Sequence, residues 1–366
     1  MLYRHTYLEK DRSIGNSGER TVDINIQDPL TAIWLELRCA NGATHNRHNP
    51  MHECISAIEV IDGADVICSV NGEQLLAMVG ADLGYLPHQR FSALGGDPQT
   101  LALPIMFGRY LGDKAFSFDP TRFTNPQLRV NWNLATNQAV GATGFADGGL
   151  TMTVIAEVMA NAAKPTGYLM RKEHYTWSTV VGTEYIDLPT DLPYRALMFR
   201  GHKLAHHPFG VISDLKLNCD GGAFVPLDMA VEDLLYLEMM RQPRLSYRIS
   251  DHLVDGGTFY SYLNEIEDVQ MIGEEATPYI IGYENYEYGS QTVNIETNAG
   301  AAVGAANVGV HVHGFCPFGY IVLPFGDQAD PSDWFPAPTF KSIRLEAKGA
   351  VVTSECDVCL VQEKRY

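Results

Sequence analysis

Residues 58–79 read IEVIDGADVICSVNGEQLLAMV, and residues 215–240 read LKLNCDGGAFVPLDMAVEDLLYLEMM. Each stretch predicts a strand that ends at an Asp-Gly turn, then a second short strand, and then a helix. The two turns, at Asp62 and Asp220, are 158 residues apart. A unit that recurs once at this distance indicates two copies of one domain rather than a solenoid.

Helices are predicted only where each repeated unit ends. In the first unit, Asn71 and Gln74 have the spacing of a capping box and open a short helix that runs through Val79. In the second unit, a helix is predicted from about Asp228 to Met240, after a short strand. Four of its residues lie at helical spacing: Val231, Leu234, Leu235 and Glu238.

The rest of the chain is dominated by alternation of apolar and polar residues with a period of two. The clearest segments are 20–26, 32–39, 128–134, 152–158, 215–219 and 343–347. This pattern is typical of antiparallel sheets that are buried on one face. The sequence therefore predicts an all-β protein of two tandem domains with short helical insertions, each domain being a sandwich or a jelly roll of about eight strands.

The two halves also end with the same order of elements: a strand, a connecting loop or turn, and a final strand. The strands at Leu128 and Ile343 are 215 residues apart, against 158 for the two turns, so the second half carries about 57 extra residues between its Asp-Gly turn and this strand. We place this insertion at about 241–310, a segment rich in Tyr, Gly, Ala and Asn. The predicted domains are residues 1–165 and, with the insertion, residues 166–366.

Composition restricts the classes of function. The net charge is −18, from 44 acidic and 26 basic residues, and no run of Lys or Arg is present, so no direct sequence-specific binding of nucleic acid is expected. Charged residues make up 19% of the chain, which is below the roughly 25% of an average soluble domain and favours surfaces that bury against partner subunits. No signal peptide or long apolar run is visible, so we expect a soluble protein made in the cytoplasm.

The ensemble of motifs resembles the double jelly-roll major capsid proteins of tailless icosahedral viruses, many of which contain a membrane. The resemblance is carried by the two Asp-Gly units, by residues 107–128, and by the stretch IDLPTDLPYRALMFRG at residues 186–201. It extends from about residue 18 to residue 363. A bacteriophage is the source that it suggests.

The resemblance implies an all-β fold of two tandem eight-stranded antiparallel jelly rolls with short helical insertions. It also implies a structural protein of the virion capsid rather than an enzyme. Its members form homotrimers whose six jelly rolls make a pseudo-hexagonal capsomer, and these capsomers tile an icosahedral shell in the host cytoplasm. The implied partners are further copies of the chain, vertex or minor capsid proteins and an internal membrane. Loops 135–150 and 270–310 are the candidates for outward towers or contacts between subunits.

Two alternative functions rest on particular side chains. His311 and His313 share one face of a strand, which is how a cupin-type metal site begins, so a two-barrel cupin-like metalloenzyme is one alternative. No carboxylate follows them and the first half has no counterpart, so no metal, catalytic or cofactor site is predicted. A glycan-binding module is the other alternative, supported only by the abundance of aromatic residues such as Tyr283, Tyr286 and Tyr288.

Two further groups of chemically reactive residues have ordinary interpretations. His202, His206 and His207 are predicted to lie on a loop between strands, where histidines at a subunit interface are more common than metal ligands. Cys356 and Cys359 form a single CxxC in a predicted strand, so their side chains point to opposite faces and are expected to be core cysteines.

Overall fold

The structure is a computed structural model in which the chain is almost entirely β-strand. It describes residues 2–44, 46, 49–204, 206–253, 257–274, 280–284, 292–297, 306–351 and 353–366. In the described part of the first half, the strands are β1 (Leu2–Ser13), β2 (Ser17–Asp23), β3 (Leu30–Ala40), β4 (Ile55–Asp62), β5 (Asp65–Val70), β6 (Gln89–Ser92), β7 (Pro98–Met106), β8 (Pro126–Asn133) and β9 (Thr151–Ala160).

The second half repeats this series and adds strands to it. Its described strands are β10 (Gly167–Ser178), β11 (Gly182–Leu188), β12 (Tyr194–His202), β13 (Ile212–Cys219), β14 (Phe224–Ala230), β15 (Leu245–Leu253), β16 (Gly257–Tyr260), β17 (Leu263–Glu274), β18 (Ile280–Glu284), β19 (Thr292–Thr297), β20 (Ala306–Pro317), β21 (Tyr320–Pro324), β22 (Ile343–Gly349) and β23 (Glu355–Arg365). The described α-helices are α1 (Gly72–Leu83), α2 (Pro208–Val211) and α3 (Val231–Arg241).

The strand order is the same in both halves. In the first half, strands β1-β9-β3-β7 form one sheet and β2-β8-β4-β5 the other. In the second half, β10-β23-β12-β21 and β11-β22-β13-β14 repeat these orders strand for strand. Each half is therefore an eight-stranded antiparallel jelly roll, and the predicted fold class is confirmed.

The two jelly rolls are joined edge to edge by short parallel pairings, which the prediction of purely antiparallel sheets did not include. Strand β5 of the first roll pairs with β10 of the second, where Cys68 lies opposite Arg171. Strand β6 pairs in the same way with β15, where Phe91 lies opposite Ile249. Because of these two pairings, each of two large sheets contains strands from both halves.

The insertion in the second half is built of strands. Strands β15, β20 and β17 extend the sheet of the first roll beyond β6, while β16, β19 and β18 form a small separate sheet. The described strands of the insertion reach Pro317, which is beyond the predicted end near residue 310. The predicted loop 270–310 is therefore partly strand, and its residues 275–279, 285–291 and 298–305 lie outside the described residues.

Both predicted helices are present, with one corrected boundary. Helix α1 begins with the predicted capping box, in which the Asn71 side chain accepts from the Gln74 backbone N–H and the Gln74 side chain accepts from the Asn71 backbone N–H. Helix α3 begins at Val231 rather than near Asp228, because β14 continues to Ala230 in its pairing with β13. The buried residues of α3 are the four at helical spacing: Val231, Leu234, Leu235 and Glu238.

Candidate functional site

One sheet of the second roll is buried on both of its faces and forms the junction between the rolls. Along β12, Ala196 and Met198 pack into a core that also contains the interior of the first roll. Leu197 and Phe199 point the other way, into the separate core of the second roll. A strand buried on both faces has a nearly continuous apolar sequence, and the stretch ALMF in β12 is the signal that could have located this junction.

The two cysteines of the CxxC pair lie in different cores, on opposite faces of the sheet, as predicted. Cys359 lies in the core shared with the first roll, and Cys356 lies in the core of the second. Both side chains are buried, and burial raises the pKa of the Cys356 thiol to about 11. The two cysteines are therefore core residues on opposite faces of β23.

Polar side chains from both rolls meet at the N-terminus of α1. The Gln74 amide donates to the Glu173 carboxylate at 2.5 Å and to Asp357 Oδ1 at 3.3 Å. The Tyr320 hydroxyl donates to Asp357 Oδ2 at 2.8 Å. Gln74 belongs to the first roll and its partners Glu173 and Asp357 to the second, so these hydrogen bonds fix the orientation of one roll on the other.

Arg200 supplies the positive charge at this junction. Its guanidinium lies 3.1 Å from the Glu73 carboxylate of α1 and 3.2 Å from Glu355, and its Nε donates to the Phe318 carbonyl at 2.9 Å. The Tyr320 ring lies beneath the same guanidinium, with 5.3 Å to the ring centroid. Arg200 and Glu73 thus form a buried ion pair between the rolls.

The acids at the junction outnumber Arg200, and their pKa values respond. Burial raises the pKa of Asp357 to about 6, although Arg200 and the hydrogen bond from Tyr320 oppose the shift. Burial, together with repulsion from Glu73, raises the pKa of Glu53 to about 8. The junction therefore favours the protonated form of both carboxyl groups more than water does, and near neutral pH Glu53 is mainly protonated while Asp357 is mainly ionised.

A second set of buried ions lies at the opposite end of α1. Asp82 of α1 accepts from Arg171 at 2.7 Å and from Arg195 at 2.6 Å. Sequence reasoning missed these three residues. A signal was present, because Arg195 stands directly before the apolar run of β12 and a charge beside such a run indicates a buried ion pair.

The repeated Asp-Gly turns have the same function in both rolls. Asp62 accepts from the backbone N–H groups of Thr124 and Asn125, just before β8. Asp220 accepts from the backbone N–H groups of Lys341 and Ser342, just before β22. Each aspartate therefore ties the end of one strand to the start of its neighbour.

A second internal repeat was missed by the sequence reasoning. Asp119 accepts from the backbone and hydroxyl of Thr121, and Asp330 accepts in the same way from Ser332. In both places a proline follows the aspartate and a short 3₁₀ turn begins. The signal was the tripeptide Asp-Pro-Thr or Asp-Pro-Ser in the segment that precedes the penultimate strand of each roll.

The three loop histidines have separate environments. His202 is largely buried, and burial lowers the pKa of its imidazole to about 3. His206 contacts the Leu204 carbonyl at 3.0 Å, and His207 contacts the Glu265 carboxylate of the insertion at 2.9 Å. These histidines do not converge on one point.

His311 and His313 share a face of β20, with 6.3 Å between their ring centroids. Strand β20 belongs to the insertion, however, and not to the interior of either roll, which is where a cupin would place its metal. Among the described residues, no three His, Cys, Asp or Glu side chains converge as a metal site requires. The arrangement does not favour the cupin-like alternative. The tyrosines proposed for glycan binding lie where side chains are outside the described residues.

The predicted tower loop 135–150 lies at one end of the first roll. It contacts the loop after β3, since Gly42 donates to the Gly144 carbonyl at 2.7 Å and Thr44 donates to Ala142 at 2.7 Å. The insertion reaches the same end, where Ala93 donates to the Ser250 carbonyl at 2.7 Å. Loops of the first roll and the insertion of the second therefore share one end of the molecule.

Several elements in the described part of the chain carry exposed apolar side chains, and three of them, α3, β14 and β1, lie at the open sides of the rolls. Helix α3 exposes 52% of Tyr236, 41% of Leu237 and 86% of Met240. The edge strands β14 and β1 each pair with a neighbour on one side only. Exposed apolar residues on these two edges are Phe224, Val225, Leu2, Tyr3 and Tyr7.

Similarity to solved structures covers almost the whole chain. The major capsid protein P2 of bacteriophage PM2 matches 99% of this chain and 98% of its own, with a TM-score of 0.55 and 10% identity. The chain has the double jelly-roll fold of viral major capsid proteins. The major capsid protein of Sulfolobus Turreted Icosahedral Virus matches 99% of this chain and 96% of its own, with a TM-score of 0.54 and 9% identity.

A third double jelly-roll match is VP54 of the virus PBCV-1. It covers 99% of this chain and 93% of its own, with a TM-score of 0.56 and 10% identity. No protein-family model and no curated protein matches the sequence. The similarity is thus carried by the path of the backbone.

Proposed function

We propose that this double jelly-roll protein is the major capsid protein of an icosahedral virus and that three copies form a pseudo-hexagonal capsomer. The observation that carries the proposal is that two rolls with the same strand order lie side by side. In the described part of the chain, the edge of the second roll that faces away from the first has no neighbouring strand. If each second roll packs against the first roll of the next subunit in the way that the two rolls pack within one chain, three subunits around a threefold axis form a closed ring of six rolls.

The contrast between α1 and α3 supports this ring. These helices occupy equivalent places, since each follows the fifth strand of its roll. No residue of α1 is exposed, because the second roll covers the face that the first roll leaves open. Helix α3 has no such cover in the described part of the chain. The apolar side chains of Tyr236, Leu237 and Met240 fit the first roll of a second copy.

The open edges of the sheets support the same arrangement. Within the chain, β5 of the first roll lies parallel to β10 of the second. Strand β14 has the position in the second roll that β5 has in the first, and β1 has the position in the first roll that β10 has in the second. The same arrangement between subunits therefore places β14 of one subunit beside β1 of the next. Pairing would also cover two edge strands that are otherwise open to aggregation.

A charge on the open face of α3 tests the proposal. We expect Met240→Asp to convert the trimer to a monomer in light scattering, because burial of this side chain contributes about 2 kcal/mol per interface and a buried carboxylate costs more. The control is Val181→Asp, at a turn where the side chain is 75% exposed, which should leave the trimer intact.

Two results would contradict the proposal. A wild-type protein that is monomeric at micromolar concentration would contradict the proposed trimeric capsomer. A Met240→Asp protein that is still trimeric would contradict the proposed interface on α3. Thermal unfolding of both variants shows whether the monomer is folded, and electron microscopy of the assembled product tests the icosahedral shell.

Localisation and further partners belong to the same proposal. We infer a structural role in the virion capsid, with assembly in the host cytoplasm, rather than an enzymatic role. Neighbouring capsomers and vertex or minor capsid proteins are the proposed partners, and an internal membrane is compatible with the net charge of −18 because such a layer would separate the shell from the genome. No helix among the described residues has the length and apolarity to cross a bilayer.

The division of the chain is also proposed. We assign residues 1–165 to the first roll and residues 166–366 to the second, with an insertion at about 241–310. The matched strand orders support this division. The attachment of β15 to β6 means that the insertion belongs to the second roll in sequence and to the first roll in its sheet.

A further inference from the structure

A cleft of about 240 Å³ lies between the two rolls, at the end of α1 where Asp82 is located. Its walls are mostly apolar and come from α1, β12, β21 and β23. They include Met78, Met198, Val322 and Val361. The charged residues that line it are Asp82, Arg195 and Arg241, and 64% of the Arg241 side chain is exposed.

A β-bulge turns Arg195 toward this cleft. The register between β12 and β23 shifts between Tyr194 and Ala196, so Arg195 has no partner of its own in that ladder. In a regular strand Arg195 would share the face of Leu197 and point into the core of the second roll. The bulge instead places it on the junction face, beside Asp82.

The buried charges around Arg195 do not balance. Arg171 and Arg195 are both almost fully buried, and they share the single carboxylate of Asp82. Arg171 also donates to the carbonyls of Met106 and Gly108. The Nε of Arg195 is buried and has no hydrogen-bond partner among the described residues. The Nε of Arg171 likewise has no partner among the described residues, but Arg171 does not line the cleft. One positive charge therefore remains unmatched, and one unpaired donor, the Nε of Arg195, belongs to a residue that lines the cleft.

We propose that this cleft binds a small organic acid whose carboxylate pairs with Arg195 and whose apolar body lies between Met78, Met198 and Val322. A carboxylate supplies the missing negative charge and accepts from the free Nε. The apolar walls offer nothing to a small hydrated anion but cover a chain of several carbons. The net charge of −18 disfavours general binding of anions, so binding must be local.

Three probes test this site by their effect on thermal unfolding of the purified full-length protein. Sodium octanoate carries both the acid and the apolar body, acetate carries only the acid, and octanol only the body. At constant ionic strength, we expect octanoate to raise the unfolding temperature at concentrations at least about tenfold lower than acetate or octanol.

Arg195→Met is the matching variant. It leaves Asp82 paired with Arg171 alone, so the buried charges balance and the protein should remain folded. We expect octanoate to bind this variant at least about tenfold more weakly. The control is Arg344→Met, which removes the same charge from an exposed ion pair on the outer sheet of the second roll and should leave octanoate binding unchanged.

The proposal does not depend on assembly into a capsid, since binding is measured whatever the oligomeric state. Equal effects of octanol and octanoate would overturn the role of Arg195, and equal effects of acetate and octanoate would overturn the role of the apolar walls. Unchanged binding in Arg195→Met would place the ligand elsewhere. If that variant does not fold, the comparison of the three probes on the wild-type protein still decides.

Discussion

Asp357 is the residue at which the chemistry of the junction is most sensitive to solution conditions. It is almost fully buried on β23, accepts from Tyr320 and Gln74, and lies in the field of Arg200. Burial still dominates and raises the pKa of this carboxyl to about 6. Because the pKa is raised, the folded state holds a proton that the unfolded state releases at lower pH.

The unfolding free energy should therefore fall as pH rises. For Asp357, stabilisation is lost between pH 4, near the ordinary pKa of an aspartate, and pH 7, and a shift to about 6 corresponds to about 3 kcal/mol. Urea unfolding of wild type and Asp357→Asn, at one protein concentration, measures this effect. The difference in the free energy of unfolding between wild type and the variant should fall by about 3 kcal/mol from pH 4 to pH 7. A constant difference would show that Asp357 ionises at its ordinary pKa.

Some residues of the junction could be predicted from the sequence, and others could not. The pair Cys356 and Cys359 was placed correctly on opposite faces, because alternation along a strand is a local property. The partners of Asp82 could not be found in this way. Arg171 and Arg195 are 89 and 113 residues further along the chain, and only the contact of the two rolls brings them together.

Helix α1 is the element on which the junction depends. Its sequence contains the capping box and ends at Gly84, whose positive φ of 79° closes the helix in the left-handed region. These local signals account for the accurate prediction of its start. Helix α3 has no capping side chain at Ala230, which is why its predicted start near Asp228 was too early.

Close packing at the start of α1 leads to a prediction for Gly72. A Cβ at this position would collide with the backbone carbonyl of His52 in the loop before β4. We expect Gly72→Ala to lower the free energy of unfolding by at least about 2 kcal/mol, because a backbone atom cannot move aside cheaply. Chemical denaturation measures the change.

Gly210 provides the matched control within another helix. A Cβ at Gly210 would meet no atom within 4 Å, so Gly210→Ala should change stability by less than about 1 kcal/mol. Equal losses in the two variants would mean that the contact between α1 and the loop at His52 is not tightly packed.

At the scale of the whole molecule, the net charge of −18 opposes the association of identical subunits. Short-range packing of apolar surface, such as the open face of α3, must then overcome repulsion between copies. The Debye length falls from about 14 Å at 0.05 M salt to about 4 Å at 0.5 M.

Salt should therefore promote assembly. We expect association of the wild-type subunits, followed by light scattering, to strengthen at least about threefold when sodium chloride is raised from 0.05 M to 0.5 M. Weaker association at high salt would mean that ion pairs of opposite sign dominate the subunit interface. In that case, the apolar face of α3 would not be the main contact.

Local alternation and turn chemistry were enough to determine the strands of clear period two, the two copies of the repeated unit and the Asp-Gly turns at Asp62 and Asp220, since each depends on residues that are neighbours in the chain. The joining of the rolls depended on tertiary structure. Strand β5 meets β10, and β6 meets β15, only because two folded units present free edges to each other. The apolar run of β12 marks a strand that is buried on both faces, but the covering of one face by the first roll and the ion pair of Arg195 with Asp82 follow only from that contact.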